Sequence, residues 1–233
     1  MKKLGLICLC LTFGGVAAKA ATPADQLRKA TNVMNEIMRT PDQGIPSDLL
    51  AKAVCVGIVP SELKFAIGVG GNYGRGVLVC RKHGDGPWGA PSLFTLGGGS
   101  FGFQLGGQAT DVVFIVMNED GARKLVRDDV RLGADISAAA GPVGRAGQAA
   151  TDAEMHAEIL SYSRNRGLFA GVSLSGAVLK QDHSGNEKLY GRRVNASQIL
   201  FEGLVTRPAS ARELDATLGR YSPRGGRPFN HQA

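Results

Sequence analysis

Ser100 stands inside the run Gly97-Gly98-Gly99-Ser100-Phe101-Gly102, which satisfies two chemical patterns at once. One is G-x-G-x-x-G, whose backbone N–H groups can cradle a pyrophosphate; the other is G-x-S-x-G, which can present a serine nucleophile. Both chemistries need a strand that turns into a helix, so that a helix N-terminus faces the phosphate or the oxyanion. The continuation Phe101-Gly102-Phe103-Gln104-Leu105 alternates like a strand instead, and the glycines are read as structural. His156 lies between Glu154 and Glu158, and strand alternation would put all three on one side as a general base among carboxylates. No nucleophile or orienting group can be attached to them, so the expectation is a solvated surface cluster. The segment Asp182-His183-Ser184-Gly185-Asn186-Glu187 places oxygen-bearing side chains around a glycine but lacks the spacing and closing glutamate of a Ca²⁺ loop; it reads as a polar turn. The four histidines fall at no paired ligand spacing. The sequence therefore predicts no catalytic residue, no metal site and no cofactor.

The elements that would position any site are dominated by glycine. From Lys64 to Asn118 short aliphatic runs are broken by glycine at almost every second or third step: KFAIGVGGNYGRGVLVC, WGAPSLFTLGGGSFGFQLGGQ, DVVFIVMN. Glycine weakens strand interiors and is kept for bulges, bends and close approaches, so a strongly bent sheet is expected. Strands are read at 53–59, 64–70, 74–82, 92–96, 101–107 and 111–117, then at 132–140, 154–162 and 168–179, the last kinked near Ser175-Gly176. Helices are read at the two ends. Thr22-Pro23-Ala24-Asp25 offers an N-cap, a first-turn proline and an acid three residues after the cap. Leu27, Met34, Ile37 and Met38 then fall on one face, with Arg28, Lys29 and Arg39 on the other. A short helix follows at about 46–52, another just after Gly121, and two more candidates lie at 195–204 and 209–219. The fold class expected is α+β: a bent, mainly antiparallel, glycine-rich sheet, closed or nearly closed into a barrel or sandwich, with flanking helices at both ends.

Lys2 and Lys3, an apolar run from Leu4 to Val16 and Ala18-Lys19-Ala20 make residues 1–20 a secretory signal peptide, and export to the periplasm or beyond is expected. The remaining 213 residues carry 24 basic and 20 acidic side chains, a formal charge of +4 against +7 for the whole chain. That balance permits contact with anionic surfaces, and no basic run or motif points to nucleic acid. Cys55 and Cys80 are the cysteines left after cleavage. In an oxidising compartment they are either a disulfide or two buried free thiols, and spacing does not decide between them.

The order GIVPSELKFAIGVGGNYGRGVL, WGAPSLFTLGGGSFGFQLGGQATDVV, AAAGPVGR, YSRNRGLFAGVSLSGAVL, with Asn186 and Tyr190 downstream, resembles the SYLF domain family over roughly residues 45–204. The resemblance implies non-catalytic lipid binding. The organisation expected is a leader at 1–20, an amphipathic helix at 21–40, a SYLF-like domain at 41–205, and a short helix with a disordered tail at 206–233. On the lipid reading Arg28, Lys29, Arg39, Lys64, Arg75, Arg81 and Lys82 are the candidate headgroup contacts, and phosphoinositide-like headgroups are the implied ligands. The stripe Leu27, Met34, Ile37 and Met38 either packs on its own domain or dips into the membrane interface. The competing expectation is an envelope structural or protein-interaction module. Actin binding, associated with some eukaryotic relatives, fits an exported protein less well.

Overall fold

In the computed structural model the described residues are 21–39, 44–67, 69–100, 108–143, 156–165 and 168–222. The leader, the 101–107 strand and the tail from 223 lie outside them. Five long strands, β1 (Cys55–Ile67), β2 (Val69–Cys80), β3 (Ser92–Ser100), β4 (Gln108–Val116) and β7 (Ile159–Asn165), build the sheet with four short ones: β5 (Asp129–Arg131), β6 (Ala138–Ala140), β8 (Leu168–Gly171) and β9 (Val178–Gln181). Their order is β5-β9-β3-β2-β1-β4-β7-β6, with β8 also on β7. Every pairing is antiparallel except β6 with β7. Among the described residues the order has two ends, so the sheet is curled and open. The helices are α1 (Pro23–Met38), α2 (Ser47–Lys52), α3 (Glu119–Leu125), α4 (His183–Tyr190), α5 (Ala196–Leu200) and α6 (Arg212–Tyr221).

Alternation along the central strands buries both faces. Cys55, Val59, Leu78, Cys80, Phe94, Leu96, Val112 and Phe114 point to one side, where they pack with Leu125 of α3 and Ile199 of α5. Val56, Ile58, Val77, Val79, Val113 and Ile115 point to the other, under α1, α2 and α6. A sheet covered on both sides needs apolar residues at successive positions, which is why its strands read as continuous aliphatic runs. The glycines do more than bend it. A Cβ on Gly57 would sit 2.1 Å from the Phe114 ring, and one on Gly76 would sit 2.3 Å from the Phe94 ring. The two rings lie edge to face, 5.7 Å apart, in space those glycines leave open.

The stripe of α1 is occupied. Leu27, Met34 and Ile37 are at most 3% exposed, and Met38 packs beside them against the sheet and α6. Gln26 donates to the Arg75 carbonyl, and Glu36 pairs with Arg164, which also holds Asp111 at 2.8 Å. Each buried side chain of this size contributes about 1.5–3 kcal/mol. Transfer to a bilayer would only exchange one apolar environment for another while breaking the Gln26 and Glu36 contacts. The membrane-inserting reading of Leu27, Met34, Ile37 and Met38 is thereby corrected: the helix is part of the domain.

Several boundaries also differ from expectation. β1 runs on through Pro60 because a bulge between Ile58 and Leu63, with Ser61 at φ 55°, absorbs the residue that lacks an N–H. The 132–140 strand is two short ones around a turn at Gly133 (φ 87°). The 154–162 strand is displaced to 159–165, and 168–179 is split by Gly176 at φ 88° into β8 and the start of β9. The polar turn at 182–186 is the start of α4. The 195–204 helix stops at Leu200, and the 209–219 candidate is a 3₁₀ turn followed by α6.

Cys55 and Cys80 face one another across β1 and β2 and are disulfide-bonded. Both are fully buried. Closing a loop of this length, 25 residues apart in sequence, restricts the unfolded chain by about 3 kcal/mol. The Cys55→Ala/Cys80→Ala protein is therefore expected to unfold in urea about 3 kcal/mol more easily than the oxidised parent. An unchanged midpoint in the double variant would show that the cross-link contributes nothing.

Candidate functional site

The sequence-predicted cations do not converge. Arg28 is exposed and bonded at 3.0 Å to Asp25. That bond and the Thr22 capping box hold the Asp25 carboxyl down at about 2. Lys29 and Arg39 are exposed on the outer side of α1. Lys64 lies on β1 opposite Asn72 and Gln108, with its side chain outside those described. Arg75 pairs with Asp182 at 2.5 Å.

Arg81 is corrected outright. It is 3% exposed, with Nε donating to the Ala53 carbonyl at 3.1 Å, Nη1 to Gly86 at 3.1 Å, and Nη2 to the Ser222 carbonyl at 3.0 Å and to the Ser222 hydroxyl. Its guanidinium carbon lies 4.2 Å from the centre of the Trp88 ring. Burial pulls its pKa below the usual guanidinium range, with Asp85 nearby opposing the shift. These N–H groups hold the fold together and leave little for a headgroup.

Gly97–Ser100 belong to β3 and pair with Gly70–Tyr73 of β2, so the three glycines lie within a paired strand; the continuation from Phe101 lies outside the described residues. Glu158 is turned to Lys124 Nζ at 2.8 Å and to the Ser137 amide at 3.0 Å. Burial alone would raise its pKa, but the Lys124 and Ser137 contacts outweigh it and lower the pKa. His156 is exposed, and Glu154 lies outside the described residues.

Asp182 caps α4 by accepting from the Gly185 amide at 2.8 Å and the Ser184 hydroxyl at 3.1 Å. One turn on, Asn186 is fully buried. Its Oδ1 accepts from the Leu93 amide at 2.7 Å, and its Nδ2 donates to Ser92 Oγ and the Leu93 carbonyl. Tyr190 donates its hydroxyl to the Pro91 carbonyl at 2.5 Å, and burial pushes its phenol pKa up. Asn186 and Tyr190 are thus staples that fix α4 to the start of β3.

What the structure does assemble is a groove of about 750 Å³ where the β2–β3 turn, α3 and the 197–207 segment meet. Val54, Ala90, Val126, Ile199, Leu200 and Val205 supply its apolar lining. Arg81, Lys82, Arg123 and Arg207 face it against the carboxylates of Glu119 and Glu202, with His83 beside them. Arg123 is loosely paired with Glu119 at 3.4 Å, and Arg207 is held by Asp215 at 2.6 Å. Lys82 is exposed and makes no ion pair among the described residues. Phe201 lines the groove at 41% exposed, and Leu204 beyond it is 50% exposed. The Arg192 guanidinium donates to the Leu204 carbonyl. Of the seven cations predicted from sequence only Arg81 and Lys82 reach this place. Phe201 and Leu204 were hidden inside a predicted helix; Gly203, at φ 64°, was the signal that the chain turns outward there.

A curled, mostly antiparallel sheet flanked by helices, with an open groove of mixed polarity among the described residues, defines an α+β domain. The family model described as "Ysc84: Las17-binding protein actin regulator" matches residues 97–221. LAS seventeen-binding protein 3 of Saccharomyces cerevisiae is 35% identical over 191 residues, 79% of this chain and 41% of the yeast protein. SH3 domain-containing YSC84-like protein 1 of Bos taurus is 33% identical over 204 residues, 84% of this chain and 59% of its own. The chain belongs to the Ysc84 (SYLF) family. It spans about two to three fifths of the length of these relatives.

Proposed function

We propose that the chain, once its leader at residues 1–20 is removed, is an exported, non-catalytic docking domain that binds anionic phospholipid surfaces, phosphoinositide-like headgroups included. The observation that carries this reading is the exposed pair Phe201 and Leu204 on the lip of a groove whose lining holds Lys82 and Arg123. Single exposed apolar side chains are ordinary. Two of them three residues apart, beside a groove whose lining includes the exposed cation Lys82, match the chemistry of an interface where acyl chains meet phosphates. Arg28, Lys29 and Arg39 add positive charge on the outer side of α1, without an apolar anchor, because the stripe beneath them is covered. No helix among the described residues is long and apolar enough to cross a membrane, so attachment would be peripheral.

Co-sedimentation of the protein from Ala21 onward with phosphatidylglycerol vesicles should exceed that with phosphatidylcholine vesicles at least tenfold at low salt and weaken as salt rises. Phe201→Asp/Leu204→Asp should abolish it. Sedimentation that ignores vesicle charge, or survives that double substitution, would refute the reading.

A second reading rests on the relatives: the yeast protein is named for binding Las17, and this domain is the part shared with it. A protein-docking module would use the same groove with its paired Arg123–Glu119 rim, and its binding would not depend on vesicle charge.

A further inference from the structure

The groove is more than a surface. Its volume, its aliphatic lining and Lys82 beside that lining, unpaired among the described residues, together select a ligand. Its volume, about 750 Å³, falls within the range of about 300–1,000 Å³ typical of small-molecule sites. Val126, Ile199, Leu200 and Val205 line it together with four cations; Arg123 and Arg207 are paired with Glu119 and Asp215, and Lys82 makes no ion pair among the described residues. Arg81 matters most. Its hydrogen-bond partners are carbonyls and a hydroxyl, with no carboxylate among them. A buried cation satisfied in this way keeps its charge while its N–H groups are used, so its field, opposed in part by nearby Asp85, reaches the groove through a low-dielectric wall. Beside it Lys82 carries a mobile ammonium on the lip, able to reach an anion directly. A free inorganic anion would leave the aliphatic floor unused, and a neutral lipid would leave the charge unanswered.

We propose that this groove holds one molecule of a single-chain anionic amphiphile, its acyl chain along Val126, Ile199, Leu200 and Val205 and its phosphate at Lys82. The inference rests on the lipid reading above but adds to it: the domain takes an individual lipid out of the aggregate, rather than only resting on a surface. Exposed Phe201 and Leu204 at the mouth are then the place where the chain enters.

The test is calorimetric titration of the protein from Ala21 onward with palmitoyl lysophosphatidic acid below its aggregation concentration. Palmitoyl lysophosphatidylcholine and inorganic phosphate serve as comparison ligands. The expected result is one lysophosphatidic acid per protein, at least tenfold weaker binding of the phosphocholine lipid, and no detectable binding of phosphate alone. Lys82→Glu should weaken binding about tenfold, and Val205→Trp, which fills the groove from a partly exposed position, should abolish it. Circular dichroism of both variants establishes that they are folded. No binding of the monomeric lipid while phosphatidylglycerol vesicles still sediment the protein would overturn the groove assignment and leave the surface reading standing. Loss of both would overturn both. Equal binding of inorganic phosphate, or monomer binding untouched by either substitution, would likewise overturn the assignment.

Discussion

Replacing Arg81 by Met is expected to lower the unfolding free energy by about 4 kcal/mol, the largest effect of any single substitution considered. Methionine keeps an unbranched apolar stem but ends short of the guanidinium, so the loss is mainly polar with a small void added. Carbonyls of Ala53, Gly86 and Ser222, from three separate parts of the chain, lose their donor, and buried acceptors left without one cost about 1–3 kcal/mol each before relaxation. The Ser222 hydroxyl keeps its bond to the Leu50 carbonyl at 2.7 Å but no longer has a cation to answer. The contact over Trp88 is lost as well, about 1–2 kcal/mol when desolvated. Arg81→Lys retains the charge but not the planar fork, so it should fall between the two. Urea unfolding followed by far-UV circular dichroism measures both. A loss below about 1 kcal/mol for the methionine variant would mean that the end of α6 is not held by this residue. Domain stabilities are about 5–15 kcal/mol, so the predicted loss also implies poor accumulation of the variant at growth temperature.

The second large effect belongs to Asn186. Asn186→Ala removes the acceptor of the buried Leu93 amide and the donor to Ser92 and the Leu93 carbonyl, for an expected loss of about 3 kcal/mol. The same staple has an acid dependence through Asp182. Burial alone would raise its pKa, but the Arg75 guanidinium, the Gly185 amide and the Ser184 hydroxyl outweigh burial and lower it. A carboxyl whose folded pKa lies below its unfolded value contributes stability that is present above the unfolded pKa, about 4, and is lost as pH falls through the folded one. Asp182→Asn should therefore destabilise at pH 7 while flattening the fall in Tm below about pH 4. An Asp182→Asn protein as acid-sensitive as its parent would assign that fall to other carboxylates, Glu158 first.

How far the sequence carried depended on how local the physics was. The start of α1 was legible because its cap, proline and acid lie within four residues and answer one another there. The bent, mainly antiparallel sheet was legible in its aliphatic runs and glycines, although the burial of both its faces and the role of Gly57 and Gly76 as space for two phenylalanine rings needed the register. α4 was missed because Ser184, Gly185 and Asn186 are poor helix residues; the helix stands on bonds from Asn186 and Tyr190 to residues more than ninety positions away. Arg81 looked like the other surface cations because Ala53 and Ser222, which bind its guanidinium, lie 28 and 141 positions away. The groove could not be read at all: it exists only where residues near 54, 82, 123 and 205 meet, and no one of those segments carries a motif.

The central claim is that the edge bearing Phe201 and Leu204 is the one that meets lipid. Trp88 is the only tryptophan and is 2% exposed, so a Phe201→Trp protein places a second, exposed reporter at that edge against an insulated background. On phosphatidylglycerol vesicles the emission of the introduced indole should shift to the blue and become protected from aqueous quencher, with neither change on phosphatidylcholine. Vesicle-bound protein in which that indole stays red-shifted and fully quenchable would contradict the account, because the membrane would then be meeting some other face.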